Sequence, residues 1–321
     1  GDAVIHCYAP YDLPHAMAHF VKHFKPHCCC IMETELWPNM IHQLAINNVP
    51  TILMNARLSD KSATGYRRFA TLTGDMLSKL AMIAAQNATD AKRFESLGAQ
   101  SQQLRVTGNI KFDLTIPEDL EEQKQPLLKS LAGRPVWLAA STHLGEDEII
   151  LNAHQQLLQK YPDVCLILVP RHPERFESVY QLCRSTGLEV GRRSLSEQPS
   201  GAIFVADTMG ELLLFVAVSD MAFVGGSLVN TGGHNCLEVS AFSKPVISGP
   251  NDFNFAEINK SLYQKGGLAY VSDAETLAKQ LMLWLQHPQQ AKLAGESGYQ
   301  VVEANRGALG KLLTLLAHYI N

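Results

Sequence analysis

Apolar residues alternate along this chain between two rhythms. Short, nearly continuous apolar runs read as strands: 4-VIHCY-8, 28-CCCIM-32, 50-PTILMN-55, 81-AMIAAQ-86, 104-LRVTG-108, 136-VWLAAS-141, 164-VCLILVP-170, 202-AIFVA-206, 221-MAFVGG-226, 245-PVISG-249 and 268-LAYV-271. Most are separated by segments with helical spacing, such as Glu146 to Lys160 and Glu275 to Gln286. Strands apolar on both faces and joined by helices predict parallel sheets covered on each side by right-handed crossovers. The expected class is therefore α/β.

The rhythm breaks once, at 113-DLTIPEDLEEQKQP-126, which carries charge and proline but no evident apolar stripe. This stretch is expected to connect two Rossmann-like domains, residues 1–117 and 118–305, with an amphipathic helix over 306–321. In such sheets ligands bind outside the carboxyl ends of the strands, so chemistry is sought there.

Composition narrows the function classes. With 46% apolar and 18% charged residues in 321, the chain has enough apolar mass for a sizeable core. Its formal charge of -4 lacks the basic footprint expected for a nucleic-acid partner. The seven cysteines are odd in number, and the run Cys28, Cys29, Cys30 suits neither a zinc site nor a disulfide framework, so a reducing compartment is expected. No apolar run reaches the roughly 18 to 20 residues needed to span a bilayer, and 1-GDAVIHCYAP-10 has no signal-like basic start. The chain alone is expected to be soluble.

Several strand ends carry candidate chemistry. In 224-VGGSLVNTGGHNCLEVSA-241, two glycine doublets lead from a strand toward an expected helix beginning at Asn235. Such a loop offers backbone N–H groups and a positive helix end to an anion, and Glu238 offers a carboxylate to a pair of hydroxyls. At 171-RHPERF-176, Arg171, His172 and Arg175 surround another strand end, where arginine can grip phosphate or carboxylate with two parallel bonds. Ser141, Thr142 and His143 follow a third strand, as helix caps or ligand contacts. In the first half, Glu33 and Glu35 lie two residues apart before Trp37, a spacing that puts both carboxylates on one side of an extended chain. Lys111, in 107-TGNIKFD-113, adds a cation to that group.

Taken in order, METELWPN (32–39), NARLS (55–59), AAQN (84–87), TGNIKFD (107–113), STHLGE (141–146), VPRHPERF (169–176), DTMGEL (207–212), FVGGSL (223–228), GGHNCLE (232–238) and GPNDFNF (249–255) resemble the 3-deoxy-D-manno-octulosonic acid (Kdo) transferases of lipopolysaccharide biosynthesis. The resemblance covers nearly the whole chain. It implies a GT-B glycosyltransferase fold, two Rossmann-like domains with the nucleotide donor mostly on the second, the acceptor mostly on the first, and the last helix crossing back to the first. It also implies transfer of Kdo from CMP-Kdo to a lipid A precursor, with inversion, no metal and no cofactor, at the cytoplasmic face of the inner membrane.

By the family pattern Arg171, Gly226, Ser227, Asn235 and Glu238 would hold the donor, with Glu238 on the ribose and Gly232 and Gly233 at the phosphate. Met209 would line the base pocket. Glu33, Lys111 and His143 would face the sugar, beside Glu35. The mixed stretch 57-RLSDKSATGYRRF-69 suits a membrane surface of anionic head groups. The family's Ser-Val-Gly-Glu type motif, which carries its general-base glutamate, has no counterpart before METELWPN. The expectation is a first domain short of about 100 residues of the family pattern, binding donor but transferring poorly, since general-base catalysis is worth about 10² to 10⁴-fold. Another GT-B nucleotide-sugar glycosyltransferase and a non-catalytic nucleotide-binding fragment are the alternative readings.

Overall fold

The computed structural model describes residues 4–320 and divides into two compact units, one running up to residue 113 and joined by the segment from 305 onward, the other of residues 114–304. The first is built on four parallel strands in spatial order β1-β2-β3-β4: β1 Cys29–Met32, β2 Thr51–Ala56, β3 Met82–Ala85 and β4 Leu104–Val106. Crossover helices bury Ile41, Leu77 and Phe94 against Ile31, Leu53 and Ile83 on one sheet face. On the other face, Ile52, Met82 and Ala84 are covered by Leu312 and Leu316 of the helix Ala308–Ile320. Asp113 caps the start of that helix, Oδ1 accepting from the Gly307 N–H and Oδ2 from the Leu309 N–H, both at 2.6 Å.

The second unit is a seven-stranded parallel sheet with β5 Val136–Thr142, β6 Cys165–Pro170, β7 Val190–Arg192, β8 Ile203–Val205, β9 Met221–Val224, β10 Val246–Ser248 and β11 Leu268–Tyr270, in spatial order β11-β10-β9-β5-β6-β8-β7. Every residue of β6, β8, β9 and β10 is buried, as two-sided coverage requires. Trp137, 1% exposed, anchors the core with Leu166, Phe223 and Leu281. Its indole donates to His154 Nδ1 at 3.2 Å, so His154 Nε2 carries the proton it donates to the Ala202 carbonyl at 2.9 Å. Burial pushes the His154 imidazole down to about 4.

Four expectations need correction. Residues 4–8 form no strand: Val4, Ile5 and Tyr8 are exposed, and the run joins neither sheet, leaving β1 at the sheet edge. Nearby, Asp12 accepts from the Asn39 and Met40 N–H groups and so caps the helix Pro38–Ile46. The connecting stretch is half helical, because Leu120, Leu127 and Leu131 make a buried stripe along Leu120–Leu131 that tolerates Pro126 inside it. The short strand β7 was not anticipated, its glycine and two flanking arginine and valine positions giving no apolar run. The run after the second glycine doublet is helical only over Leu237–Ser240, a single turn.

Candidate functional site

In the second unit the chain crosses from β5 to β6 on one side and returns to β9 on the other, so the carboxyl ends of β5 and β9 flank the switch point of the sheet. Near its end β5 carries a register shift at Ser141, which has φ 57°. A bulge there re-aims the residues that follow.

The buried acid Glu146 organises this edge. Its Oε2 accepts from the Gly226 N–H at 2.7 Å and the His143 N–H at 2.9 Å, and its Oε1 from the Ser227 N–H at 3.0 Å and the Leu228 N–H at 2.9 Å. The loop after β9 is thereby bolted to the loop after β5. The fit leaves no room for a side chain at Gly225, where a Cβ would lie 2.6 Å from the Ser141 carbonyl oxygen. The Ser227 hydroxyl, fully buried, donates to the Val224 carbonyl and accepts from the Gly249 N–H at 2.7 Å. A Cβ at Gly249 would sit 2.3 Å from the Ser227 carbonyl oxygen, so the loop after β10 is pressed onto the same structure. Further on, Gly233 donates to the Gly226 carbonyl at 2.7 Å and Gly232 accepts from the Asn254 N–H at 3.0 Å.

These bonds change the meaning of the glycine-rich stretch. The Gly226 and Ser227 amides expected at a ligand are engaged by Glu146, and the Ser227 side chain has no exposed atom to offer. A one-turn helix also supplies little aligned dipole, and the Asn235 side-chain Oδ1 already accepts the Leu237 N–H at 3.2 Å. Positive charge at this edge comes instead from side chains.

His143 Nε2 lies 2.7 Å from His234 Nε2, the two ring planes within 20° of each other and their centroids 5.0 Å apart, while His172 meets His143 edge-on at 5.1 Å. Arg171 extends β6, its N–H bonded to the Thr142 carbonyl at 3.1 Å. Arg175 donates to the same carbonyl and to Asp147, which also accepts from the Thr142 hydroxyl at 2.6 Å. Burial, followed by His143, Arg171 and His172, pushes the His234 imidazole down to about 4. Burial also lowers His143, with Glu146 pulling the other way and His172, Arg175 and Arg171 adding to the lowering. Glu238 is raised above the usual carboxylate range by burial, against the Asn235 hydrogen bond and the Arg171 charge.

The structure therefore brings His143, Arg171, Asn235 and Glu238 together, and adds Glu146 and His234, which the motif reading did not assign. Glu146 looked like any acid at a helix start, and His234 stood hidden between a glycine doublet and the expected helix. Met209, 58% exposed, sits in the turn beyond β8.

In the first unit Glu33 follows β1 with φ 56°, so the chain turns instead of staying extended and Glu35 does not share its side. Glu33 Oε1 pairs with Lys111 Nζ at 2.8 Å and Oε2 approaches Arg57 Nε at 3.4 Å, whereas Glu35 accepts from the Trp37 indole at 3.1 Å. The expected carboxylate pair is thus split, because i and i+2 parity holds only while the strand lasts. Lys111 rides on a 3₁₀ turn, Ile110–Phe112, held by Asn55, whose Oδ1 accepts the Ile110 N–H at 3.1 Å from a bulged position with φ 50°.

Comparison with known proteins gives the family of the chain. The family model of 3-deoxy-D-manno-octulosonic-acid transferase (kdotransferase) matches residues 1–114. A 3-deoxy-D-manno-octulosonic acid transferase from Haemophilus influenzae is 46% identical over 325 aligned positions, which take in 100% of this chain and 76% of that protein. The chain belongs to the Kdo transferase family. It is thus a glycosyltransferase. Among solved structures, the C-terminal CMP-Kdo binding domain of WaaA from Acinetobacter baumannii is 33% identical with a TM-score of 0.55, covering 58% of this chain and 99% of that one. UDP-GlcNAc 2-epimerase from Neisseria meningitidis, 14% identical with a TM-score of 0.60 over 94% of this chain and 80% of its own, shares the fold alone. The expected GT-B class stands on these neighbours and on the two parallel sheets.

Proposed function

We propose that the unit of residues 114–304 binds CMP-Kdo at the carboxyl ends of β5, β6 and β9, and that the chain passes Kdo to a hydroxyl of a lipid A precursor. The observation that carries the reading is the convergence of Arg171, His143 and His234 with Asn235 and Glu238 at the switch point of a family member's sheet. The likeness to a CMP-Kdo binding domain supports it.

In this reading Glu238 accepts from the ribose hydroxyls, oriented by Asn235, and Met209 lies along the base. Gly232 and Gly233 shape the loop without lending it free amides at Gly226. Arg171 meets the phosphate. In the other unit Lys111 and Arg57, gathered by Glu33, are cations suited to an anionic group of a substrate. Glu33 and Glu35 are each engaged with neighbours, so both are read as positioning groups. The acceptor hydroxyl loses its proton, its oxygen attacks the anomeric carbon opposite the phosphate, and the carbon–oxygen bond to CMP breaks with inversion. The charge left on CMP is met by fixed cations already in place. One phosphate leaves, and such groups suffice for it without a metal; unchanged transfer after chelation is expected.

Titration calorimetry with CMP and UMP tests the donor site. CMP is expected to bind selectively, with Glu238→Ala and Arg171→Ala each weakening it by about tenfold or more, since each removes a bond to or from a charged group. Equal binding of CMP and UMP, or indifference to both substitutions, would overturn the assignment.

Among the described residues no helix is long and apolar enough to cross a membrane. We read the junction of helices Asp60–Arg67 and Ala70–Ser78, where Arg67 and Arg68 precede exposed Phe69 and Leu72, as the surface offered to anionic head groups. Co-sedimentation with anionic vesicles should be lost in an Arg67→Glu/Arg68→Glu variant and in high salt; retention under both conditions would count against it.

A further inference from the structure

The contact between His143 and His234 has a consequence for charge. Two Nε2 atoms 2.7 Å apart hold one proton between them: with none the lone pairs repel, and with two the N–H groups collide. The neutral pair meets this condition with one ring donating through Nε2 and the other accepting. A single added proton goes to the far nitrogen of the donor ring, which leaves the contact intact and makes its hydrogen bond charge-assisted. A second added proton would break it. The pair is therefore built to carry either no charge or one.

The surroundings decide which. Basic groups crowd it: Arg171, Arg175 and His172 on the segment after β6 all act on one or both rings. The acids that face it are committed elsewhere. Glu146 is spent on four backbone N–H groups, Asp147 on Arg175 and Thr142, and Glu238 is bonded to Asn235 beside Arg171. Asp252, on the loop after β10, accepts from the Tyr270 hydroxyl and from Asn259. Glu146 still pulls His143 toward the charged form, but burial and the basic groups on the segment after β6 outweigh it, so the charge that would complete the balance must arrive from outside.

We propose that His143 and His234 act as one proton-binding unit that becomes a monocation when the phosphate of the donor enters the site, so that donor and proton bind together. The proposal rests on the donor-site reading given above. It makes the pair a catalytic element: the proton taken up on binding stays on the imidazoles and offsets the extra negative charge that CMP acquires when the anomeric carbon–oxygen bond breaks. The ligand class it selects is a nucleoside monophosphate or its ester, as against a neutral nucleoside.

The test is calorimetry of CMP binding at pH 7 in buffers of different ionisation enthalpy, with free cytidine as the uncharged control. Uptake of about one proton with CMP and none with cytidine is expected, with affinity falling about tenfold per pH unit where uptake is complete. His143→Asn and His234→Asn should each remove the uptake. Imidazole ¹⁵N spectra of the wild type give a readout independent of the variants: an imidazolium signal should appear with CMP and not with cytidine. Binding without uptake, uptake that survives in both variants, or spectra that stay neutral when CMP is bound would each overturn the pair, leaving the donor site standing. Absence of CMP binding would overturn the donor site and the pair with it.

Discussion

Glu33 and Glu146 are the same residue type in comparable places, each just past the carboxyl end of a parallel strand, yet they do opposite work. Glu33 is partly exposed and holds two long cations, Lys111 and Arg57, by their charges. Glu146 is fully buried and holds two loops by four backbone N–H groups. An ion pair near water is cheap to break and easily rearranged, whereas a buried carboxylate exchanged for an apolar group leaves several donors without partners. The edge of the first unit is thus adjustable around a ligand and that of the second is pre-set.

The sharpest way to break this contrast is Glu146→Ala. It is expected to cost about 3 to 5 kcal/mol of stability, or to prevent folding, because a buried charge and its partners are uncoupled. Urea titration monitored by tryptophan fluorescence measures it. A loss under about 1 kcal/mol would mean that water replaces the carboxylate and that the edge is not pre-set.

Acid should expose the buried polar wiring of the second unit next. His154, held neutral between Trp137 and the Ala202 carbonyl, has a folded-state value of about 4, below the 6.5 of an unperturbed histidine. The unfolded chain binds this proton first, so the His154 contribution is intact above pH 6.5 and is lost as pH falls from 6.5 toward 4, about 3 kcal/mol in all. Thermal unfolding against pH should show that slope flattened in His154→Gln; parallel curves would refute it.

The smallest expected change in stability is that of Glu33→Gln, within about 1 kcal/mol, since the pairs it loses are part-exposed. Transfer activity should fall by far more than stability, because Lys111 and Arg57 lose the group that gathers them. Equal, modest effects on both would make Glu33 an ordinary surface acid.

Much of this was legible in the chain itself. The apolar runs and their helical spacers determined two parallel sheets, since a strand buried on both faces must be apolar throughout. The ordered motifs marked nearly every segment that lies at a strand end, and the family followed from them. Runs without a ladder partner, such as Val4 to Tyr8, misled, because strand pattern records what a segment can do and pairing records what it is offered. A buried stripe as sparse as Leu120, Leu127 and Leu131 stayed hidden behind charge and proline.

What only the tertiary structure decided was who bonds to whom. A glycine-rich loop has the same amides whether they meet a phosphate or a protein carboxylate, and Glu146, eighty residues before Gly226, took them. His143 and His234 are ninety-one positions apart and become one unit only when β5 and β9 lie side by side. Sequence carries periodicity, which is local, whereas a hydrogen bond and a shared proton depend on a few tenths of an ångström between segments that only the packed sheet brings together.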